Sequence, residues 1–311
     1  MSFQNIKSVQ DAESYLDAAI KKAVRKVSEL RKKASKDKLK KAKYLESTKM
    51  QIMKDILISD MQEILKDFPY AHDLPVFYRE LTDAVIGIDR LKRSLSVVRL
   101  IKNKINEFFK LYNRRLTKSS SVEQIMKCKK EFYGRASSLF KRSKKAFAFL
   151  ENARKIFRRF PVIKTKLKTI AIAGFPNVGK STLMGKLSPS KPEVAAYSFT
   201  TKGIMIGYTP DNIQLLDTPG TLNRVDKMNM IEKQAWLALN LLAEKIIYIF
   251  DLTEPFPLKD QEELYKRLKQ LGKPIIVYLS KTDILDKEKV SSFKRRYKEA
   301  LTDTGELKKQ M

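Results

Sequence analysis

From about residue 9 to residue 159, apolar side chains recur at intervals of three and four, the spacing of one helix face. Four helices are expected there, over about 10–34, 37–66, 75–116 and from 120 towards 160. The second carries Ile52, Ile56, Leu57, Met61, Ile64 and Leu65 on one face. The third carries Leu91, Leu95, Val98, Ile101, Ile105 and Phe108, and the fourth Ile125, Phe132, Ala136, Leu139, Phe140, Phe147 and Leu150. Pro69, Pro75, Gly87 and Gly134 are the only prolines and glycines in that span. Pro75 suits the first turn of the third helix, and Gly87 marks a break or kink within it. Ser120 and Glu123 have capping-box spacing at the start of the fourth. Long helices joined by short loops read as an antiparallel bundle.

A cationic stretch follows, Arg154, Lys155, Arg158 and Arg159, then Pro161, Lys164, Lys166 and Lys168. Beyond it the period changes. Short β-branched runs at 169–173, 203–208, 213–217, 245–251 and 274–280 alternate with helical patterns at 180–187, 228–243, 259–271 and 286–301. That alternation predicts an α/β domain with a mostly parallel sheet. The expected organisation is a basic helical bundle over 1–160, a linker over 161–168, a nucleotide-binding core over 169–285, and a C-terminal helix with a polar tail over 286–311.

Charge changes the picture for the first half. The 311 residues hold 64 Lys+Arg against 35 Asp+Glu, and 39 of those cations against 18 acids fall in 1–160. So basic a face suits a polyanion, most simply RNA, through counterion release; a solvated lysine-rich surface is the plainer alternative. One cysteine, Cys128, allows no intrachain disulfide and fits a reducing compartment, so a cytoplasmic location is expected. The single histidine, His72, lies in a loop with no second His or Cys near it, and no metal site is read there. No run of 18 apolar residues and no apolar N-terminal signal region occur, so no membrane partner is expected.

The chemistry is concentrated after residue 169. Gly174-Phe-Pro-Asn-Val-Gly-Lys-Ser-Thr182 fits the P-loop pattern G-x-x-x-x-G-K-[ST], with an apolar run before it and a helix pattern after it. Backbone N–H groups around Asn177, Val178, Gly179 and Thr182 would cradle phosphates at a helix N-terminus. Lys180 would reach the β- and γ-phosphates, and the Ser181 hydroxyl would bind magnesium. Asp217-Thr-Pro-Gly220 ends a strand pattern. Asp217 can hold magnesium through water, and the Gly220 N–H can sense a γ-phosphate. Tyr197-Ser-Phe-Thr-Thr201, with Phe199, Thr200 and Thr201, lies between these motifs, where a threonine can complete the magnesium shell only beside a γ-phosphate. Ser280-Lys-Thr-Asp283 ends the last strand pattern. Asp283 can accept from guanine's two donors, which adenine lacks, and the Lys281 stem can lie across the base.

Together with Asp251-Leu-Thr-Glu254, these motifs resemble the Obg–Nog branch of the TRAFAC P-loop GTPases. The helical half, with Phe77-Tyr-Arg-Glu-Leu-Thr-Asp83 and the basic linker, is similar to the Nog-type nucleolar GTPases, at about the length of an archaeal version without the eukaryotic C-terminal extension. The resemblance implies an α/β P-loop GTPase domain preceded by an all-α antiparallel bundle, and a monomeric switch that binds GTP and GDP. It also implies slow GTP hydrolysis and work on rRNA in the large ribosomal subunit precursor. It implies Ser181 and Thr201 as magnesium ligands alongside Asp217, and catalytic parts in Lys180, Asn177 and Gly220. Asn177 stands where related GTPases use an asparagine to hold potassium; bracing the loop's own turn would equally explain it. Ser280 replaces the usual asparagine of Asn-Lys-x-Asp, and Thr221 and Leu222 offer no water-orienting glutamine. No Ser-Ala-x base loop is legible after Asp283. Two other readings remain open from the residues: an RNA-binding module with a degenerate, mainly structural nucleotide site, and an ATPase permitted by Ser280.

Overall fold

The structure is a computed structural model describing residues 3–30, 37–188, 193–194, 205–218, 230–253 and 256–311. The chain divides into two compact units, one of residues 3–73 and 86–158, the other of residues 74–85 and 159–311.

The first unit is a four-helix bundle of α1 (Ala12–Leu30), α2 (Lys38–Asp67), α4 (Ile88–Lys118) and α5 (Val122–Phe157). α1 packs on α2 and α5, and α4 packs on the same two, so each helix has two neighbours around one core. Leu91, Val98, Ile101, Ile105, Ile125, Phe132, Ala136, Phe140, Phe147 and Leu150 lie in that core as the period required. In α2 the core is deeper than the aliphatic stripe suggested, because Met50 and Met53 are fully buried. Asp37 caps α2 by accepting from the Leu39 and Lys40 N–H groups. At the start of α5 the cap is Ser121, one residue beyond the expected Ser120. Its hydroxyl accepts from the Gln124 N–H at 3.3 Å, and Gln124 Oε1 accepts from the Ser120 N–H at 2.8 Å. Gln124 therefore takes the part assigned to Glu123.

The helix expected over 75–116 is two helices. α3 (Val76–Val85) ends before Gly87, whose φ of 85° lies in the region glycine occupies freely, and α4 begins at Ile88. α3 belongs to the second unit, where it packs on α7 (Met230–Leu241). The Tyr78 hydroxyl donates to the Pro161 carbonyl at 2.7 Å and accepts from the Ile163 N–H at 2.9 Å, so α3 is tied to the linker inside this unit.

The second unit is a six-stranded sheet ordered β2-β3-β4-β1-β5-β6, from β1 (Thr169–Ala173), β2 (Glu193–Val194), β3 (Met205–Tyr208), β4 (Gln214–Asp217), β5 (Lys245–Phe250) and β6 (Ile275–Leu279). β4, β1, β5 and β6 run parallel, while β3 is antiparallel to β4 and β2. β1 and β4 are buried throughout, as central strands covered on both faces are. α6 (Lys180–Leu187), α8 (Leu258–Lys269) and α9 (Lys287–Arg296) connect the strands. The single helix expected over 286–301 stops at Arg296. The chain then returns to the sheet, where Leu301 forms a parallel bridge to Tyr278. The Leu301 N–H donates to the Val277 carbonyl at 2.9 Å, and its carbonyl accepts from the Leu279 N–H at 2.8 Å. α10 (Thr304–Gln310) follows, capped by Asp303. The edge strand that periodicity could not reveal is thus reduced to one bridged residue, too short to leave an alternating pattern.

Candidate functional site

All parallel strands deliver their C-terminal ends to one edge of the sheet, where ligands bind in open α/β folds. β1 ends at Ala173 and leads into the P-loop. Gly174 has a φ of 152°, and a Cβ there would lie 2.8 Å from the Ile249 carbonyl oxygen and 3.1 Å from Val178 Cγ2. Only glycine fits this exit. Gly179, at φ 93°, turns the chain into α6, and a Cβ on it would meet Ser280 at 3.8 Å. Gly179 and Ser280 are therefore van der Waals neighbours, which brings the P-loop beside the start of the Ser280–Asp283 segment. Asn177 is left-handed, at φ 62°, a conformation asparagine accepts better than most residues. Its backbone role in the turn is on view.

Lys180 is buried, and its ammonium donates to the Phe175 carbonyl at 2.6 Å inside the loop. The Ser181 hydroxyl donates to Asp217 Oδ2 at 2.6 Å, joining the first turn of α6 to the end of β4. Burial pushes the Asp217 carboxyl above the ordinary range, against the Ser181 hydrogen bond and the Lys180 charge, which act to lower it. Among the described residues Asp217 Oδ1 is buried with no hydrogen-bond partner. A hydroxyl and an unsatisfied buried carboxylate oxygen, both hard oxygen donors, fit a magnesium ion or its bound water. Thr218 is pinned beside Asp217 by its N–H and hydroxyl, which donate to the Ile172 carbonyl at 3.1 and 2.9 Å.

At the other end of the site, the Ser280 hydroxyl donates to the Phe250 carbonyl at 3.1 Å. Lys281 is left-handed, at φ 53°, and Asp283 sits exposed in a 3₁₀ turn over Thr282–Ile284. The chain's return at Leu301 places Thr302 beside the end of β6, with its carbonyl accepting from the Tyr278 hydroxyl at 3.3 Å and its own hydroxyl from Lys294 at 3.3 Å. Phe199, Thr200, Thr201 and Gly220 lie outside the described residues. Asn177, Val178, Gly179, Lys180, Ser181, Thr182, Asp217, Ser280, Lys281 and Asp283 all fall on one sheet edge.

Two participants had no assigned role in the sequence. Asp251 directly follows β5, with its side chain fully buried, and pairs with Lys281 Nζ at 2.6 Å. Gln261, on α8, is buried and hydrogen-bonds both backbone groups of Asp251. Its signal was a polar residue in register with Leu264 and Leu268 on the apolar face of α8.

In the bundle, Arg154 is not a free cation. It is buried and holds Glu151 through two hydrogen bonds of 2.8 Å, while Glu151 also accepts from the Val9 N–H. Of the neighbouring cations Lys155 and Arg158 are exposed and Arg159 is half-buried. A longer cationic surface lies on α4 and α5. These run antiparallel, with Arg90 over the Phe149 ring and Arg135 over the Phe108 ring. Between Asp89 and Glu107 α4 has no acid, and between Glu131 and Glu151 neither has α5; the two stretches carry eleven Lys and Arg residues. Cys128 is buried in the core of α5. No helix among the described residues is long and apolar enough to cross a membrane.

Residues 3–164 match the family described as NOG1 N-terminal helical domain, and residues 169–281 match that described as 50S ribosome-binding GTPase. An uncharacterized protein of Methanocaldococcus jannaschii is 35% identical over 93% of this chain and 83% of its own length. Nucleolar GTP-binding protein 1 of Drosophila melanogaster is 31% identical over 94% of this chain and 46% of its own, and that of Saccharomyces cerevisiae 30% over 93% and 45%. The chain thus spans less than half the length of these eukaryotic relatives. Among solved structures it is similar to Era of Aquifex aeolicus bound to GDP and aluminium fluoride, at 28% identity over 43% of this chain and 49% of that one, with a TM-score of 0.32. The chain belongs to the NOG1 family, a helical N-terminal domain joined to a P-loop GTPase domain.

Proposed function

We propose that this NOG1-family chain is a GTP-binding switch that hydrolyses GTP slowly and acts in large ribosomal subunit assembly through contacts with rRNA. The observation that carries the nucleotide half is the Ser181–Asp217 hydrogen bond under a glycine-shaped P-loop, with the Ser280–Asp283 segment against Gly179. P-loop N–H groups and Lys180 bind the phosphates, Asp283 reads guanine, and the Lys281 stem covers the base. Ser181, Asp217 and Thr201 hold magnesium, which neutralises phosphate charge when bound. Thr201 and Gly220 sense the γ-phosphate. Hydrolysis is slow because Thr221 and Leu222 occupy the place of a water-orienting glutamine. Potassium held by Asn177 is the proposed source of further transition-state charge. Thr302, returned to the sheet beside β6, begins the loop that closes the base site.

The acid-free stretches of α4 and α5, residues 90–106 and 132–150, support the RNA half of the reading. Phosphate contacts from such a surface release counterions, so affinity falls steeply with salt. The Arg154–Glu151 pair is a structural brace and makes no part of that contact. The protein works as a monomer in this reading.

Titration with GTP, GDP and ATP in magnesium tests the nucleotide half: GTP and GDP bind and ATP does not, and equal affinities for GTP and ATP sink it. For the RNA half, Lys141→Glu, Lys144→Glu and Lys145→Glu together should reduce the slope of log affinity against log salt by up to about one unit per lost phosphate contact. An affinity for ribosomal particles that ignores salt points to a protein partner instead.

A further inference from the structure

The loop that carries Lys281 and Asp283 leaves β6 with little support of its own. Ser280 turns its hydroxyl back onto the Phe250 carbonyl, and Lys281 adopts a left-handed conformation that a non-glycine side chain disfavours. The side chain is a third exposed, yet its ammonium reaches back to a carboxylate that is fully buried. That carboxylate, Asp251, lies at the end of the neighbouring strand. Its Oδ1 accepts from the Thr253 N–H at 2.9 Å and the Thr253 hydroxyl at 2.6 Å, and its Oδ2 faces Lys281 Nζ at 2.6 Å. Burial alone would raise this carboxyl, but the Lys281 ammonium beside it and the hydrogen bonds from Thr253 outweigh it and hold it below the ordinary range.

Asp251 is itself fixed. Gln261 Oε1 accepts from the Asp251 N–H at 3.0 Å, and Gln261 Nε2 donates to the Asp251 carbonyl at 2.8 Å and the Phe256 carbonyl at 3.0 Å. The Gln261 carbonyl in turn accepts from the Tyr248 hydroxyl at 2.6 Å. A chain of polar contacts therefore runs from α8 through the end of β5 to Lys281. The ionised pair is the form in which each member has its partner, and a buried charge without one is costly.

The geometry points to Asp251, held by Gln261, as the positioning residue that fixes the Lys281 stem over the guanine site. This rests on the reading of Ser280–Asp283 as the guanine-binding segment. Asp251 does not touch the nucleotide; it acts through Lys281 and thereby fixes the backbone that presents Asp283. The same chain ties base recognition to α8, so displacement of α8 loosens the base.

Equilibrium binding of a fluorescent GDP analogue to the full chain tests this in wild type, Asp251→Asn, Lys281→Met and the double variant. Lys281→Met keeps an apolar stem and removes only the ammonium. Each single variant should weaken GDP by about tenfold or more, since each breaks one ion pair to a buried carboxylate. The double variant should be no weaker than the weaker single, because both remove the same contact. Losses that multiply in the double variant, or a folded Asp251→Asn protein with unchanged affinity, overturn the inference, since a merely structural Asp251 predicts one or the other. If Asp251→Asn does not fold, Thr253→Val takes its place. It removes one hydroxyl from the carboxylate and should weaken GDP several-fold in wild type but not in Lys281→Met; a loss in both backgrounds overturns the inference. A wild type that binds ADP as well as GDP sinks the guanine reading itself, and this inference with it; a guanine-selective wild type with independent single effects sinks this inference alone.

Discussion

Replacing Tyr78 with phenylalanine isolates the tie between α3 and the linker. The hydroxyl is completely buried, donates to the Pro161 carbonyl at 2.7 Å and accepts from the Ile163 N–H at 2.9 Å. Phenylalanine keeps the ring and its packing, so no cavity term enters. What is lost is two buried backbone partners, each left unsatisfied at a cost of about 1–3 kcal/mol. Partial entry of water reduces that, and we expect about 2–4 kcal/mol in total, a large share of the 5–15 kcal/mol or so that holds a typical domain. The assay is built into the chain. Its single tryptophan, Trp236, lies on α7, the helix that α3 packs against. Urea unfolding followed by Trp236 fluorescence should shift to lower urea by about 1–2 M at the slopes usual for small domains. Far-UV circular dichroism, dominated by the helices of the bundle, should retain a transition near its wild-type position, since the change lies in the other compact unit. An unshifted Trp236 transition would refute the reasoning and show that the hydroxyl contributes nothing to docking α3.

Lys180→Ala removes the buried ammonium at the P-loop and should abolish GTP binding while the bundle's circular dichroism stays intact; undiminished turnover in that variant places the activity elsewhere. Burial raises the Asp217 carboxyl, so it takes up a proton at higher pH than an ordinary aspartate, and a protonated Asp217 cannot serve magnesium. Magnesium-dependent GDP affinity should therefore begin to fall, on acidification, above the usual carboxylate range, and Asp217→Asn should remove that pH dependence; a profile that breaks only at ordinary carboxylate pH contradicts it. In apo protein stability responds in the opposite direction: the buried carboxylate destabilises the fold above its raised folded value, and the penalty fades as pH falls towards the unfolded value, so acidification stabilises the empty site while it weakens magnesium-dependent binding. Potassium should raise turnover over sodium at equal ionic strength, and Asn177→Ser should erase the difference; equal rates in both salts leave Asn177 as a turn residue only.

Much of this protein is legible in its sequence because the signals are local. The change from helical period to alternating β-branched runs near residue 169 marks the change of architecture. β1, α6, β4 and β6 fall almost where their patterns put them, since short apolar runs and a helix that opens on a glycine turn carry strong local signals. Gly174 and Gly179 announce a backbone that only glycine can follow, so the P-loop is readable without neighbours. The charge imbalance is likewise a property of composition. Tertiary structure decided the rest, because contacts between distant segments leave no period. Ser121 rather than Ser120 caps α5, a one-residue choice set by which hydroxyl meets the Gln124 N–H. Residues 74–85 read as a continuation of the helical half, yet they pack on α7, because the Tyr78 hydroxyl finds its partners some 83 residues away in the linker. Arg154 looks like one more linker cation, but its guanidinium is spent on Glu151. Leu301 joins the sheet through two backbone hydrogen bonds that no side-chain pattern records. Asp251 and Lys281, 30 residues apart in sequence, become partners only because β5 and β6 are parallel neighbours that end together.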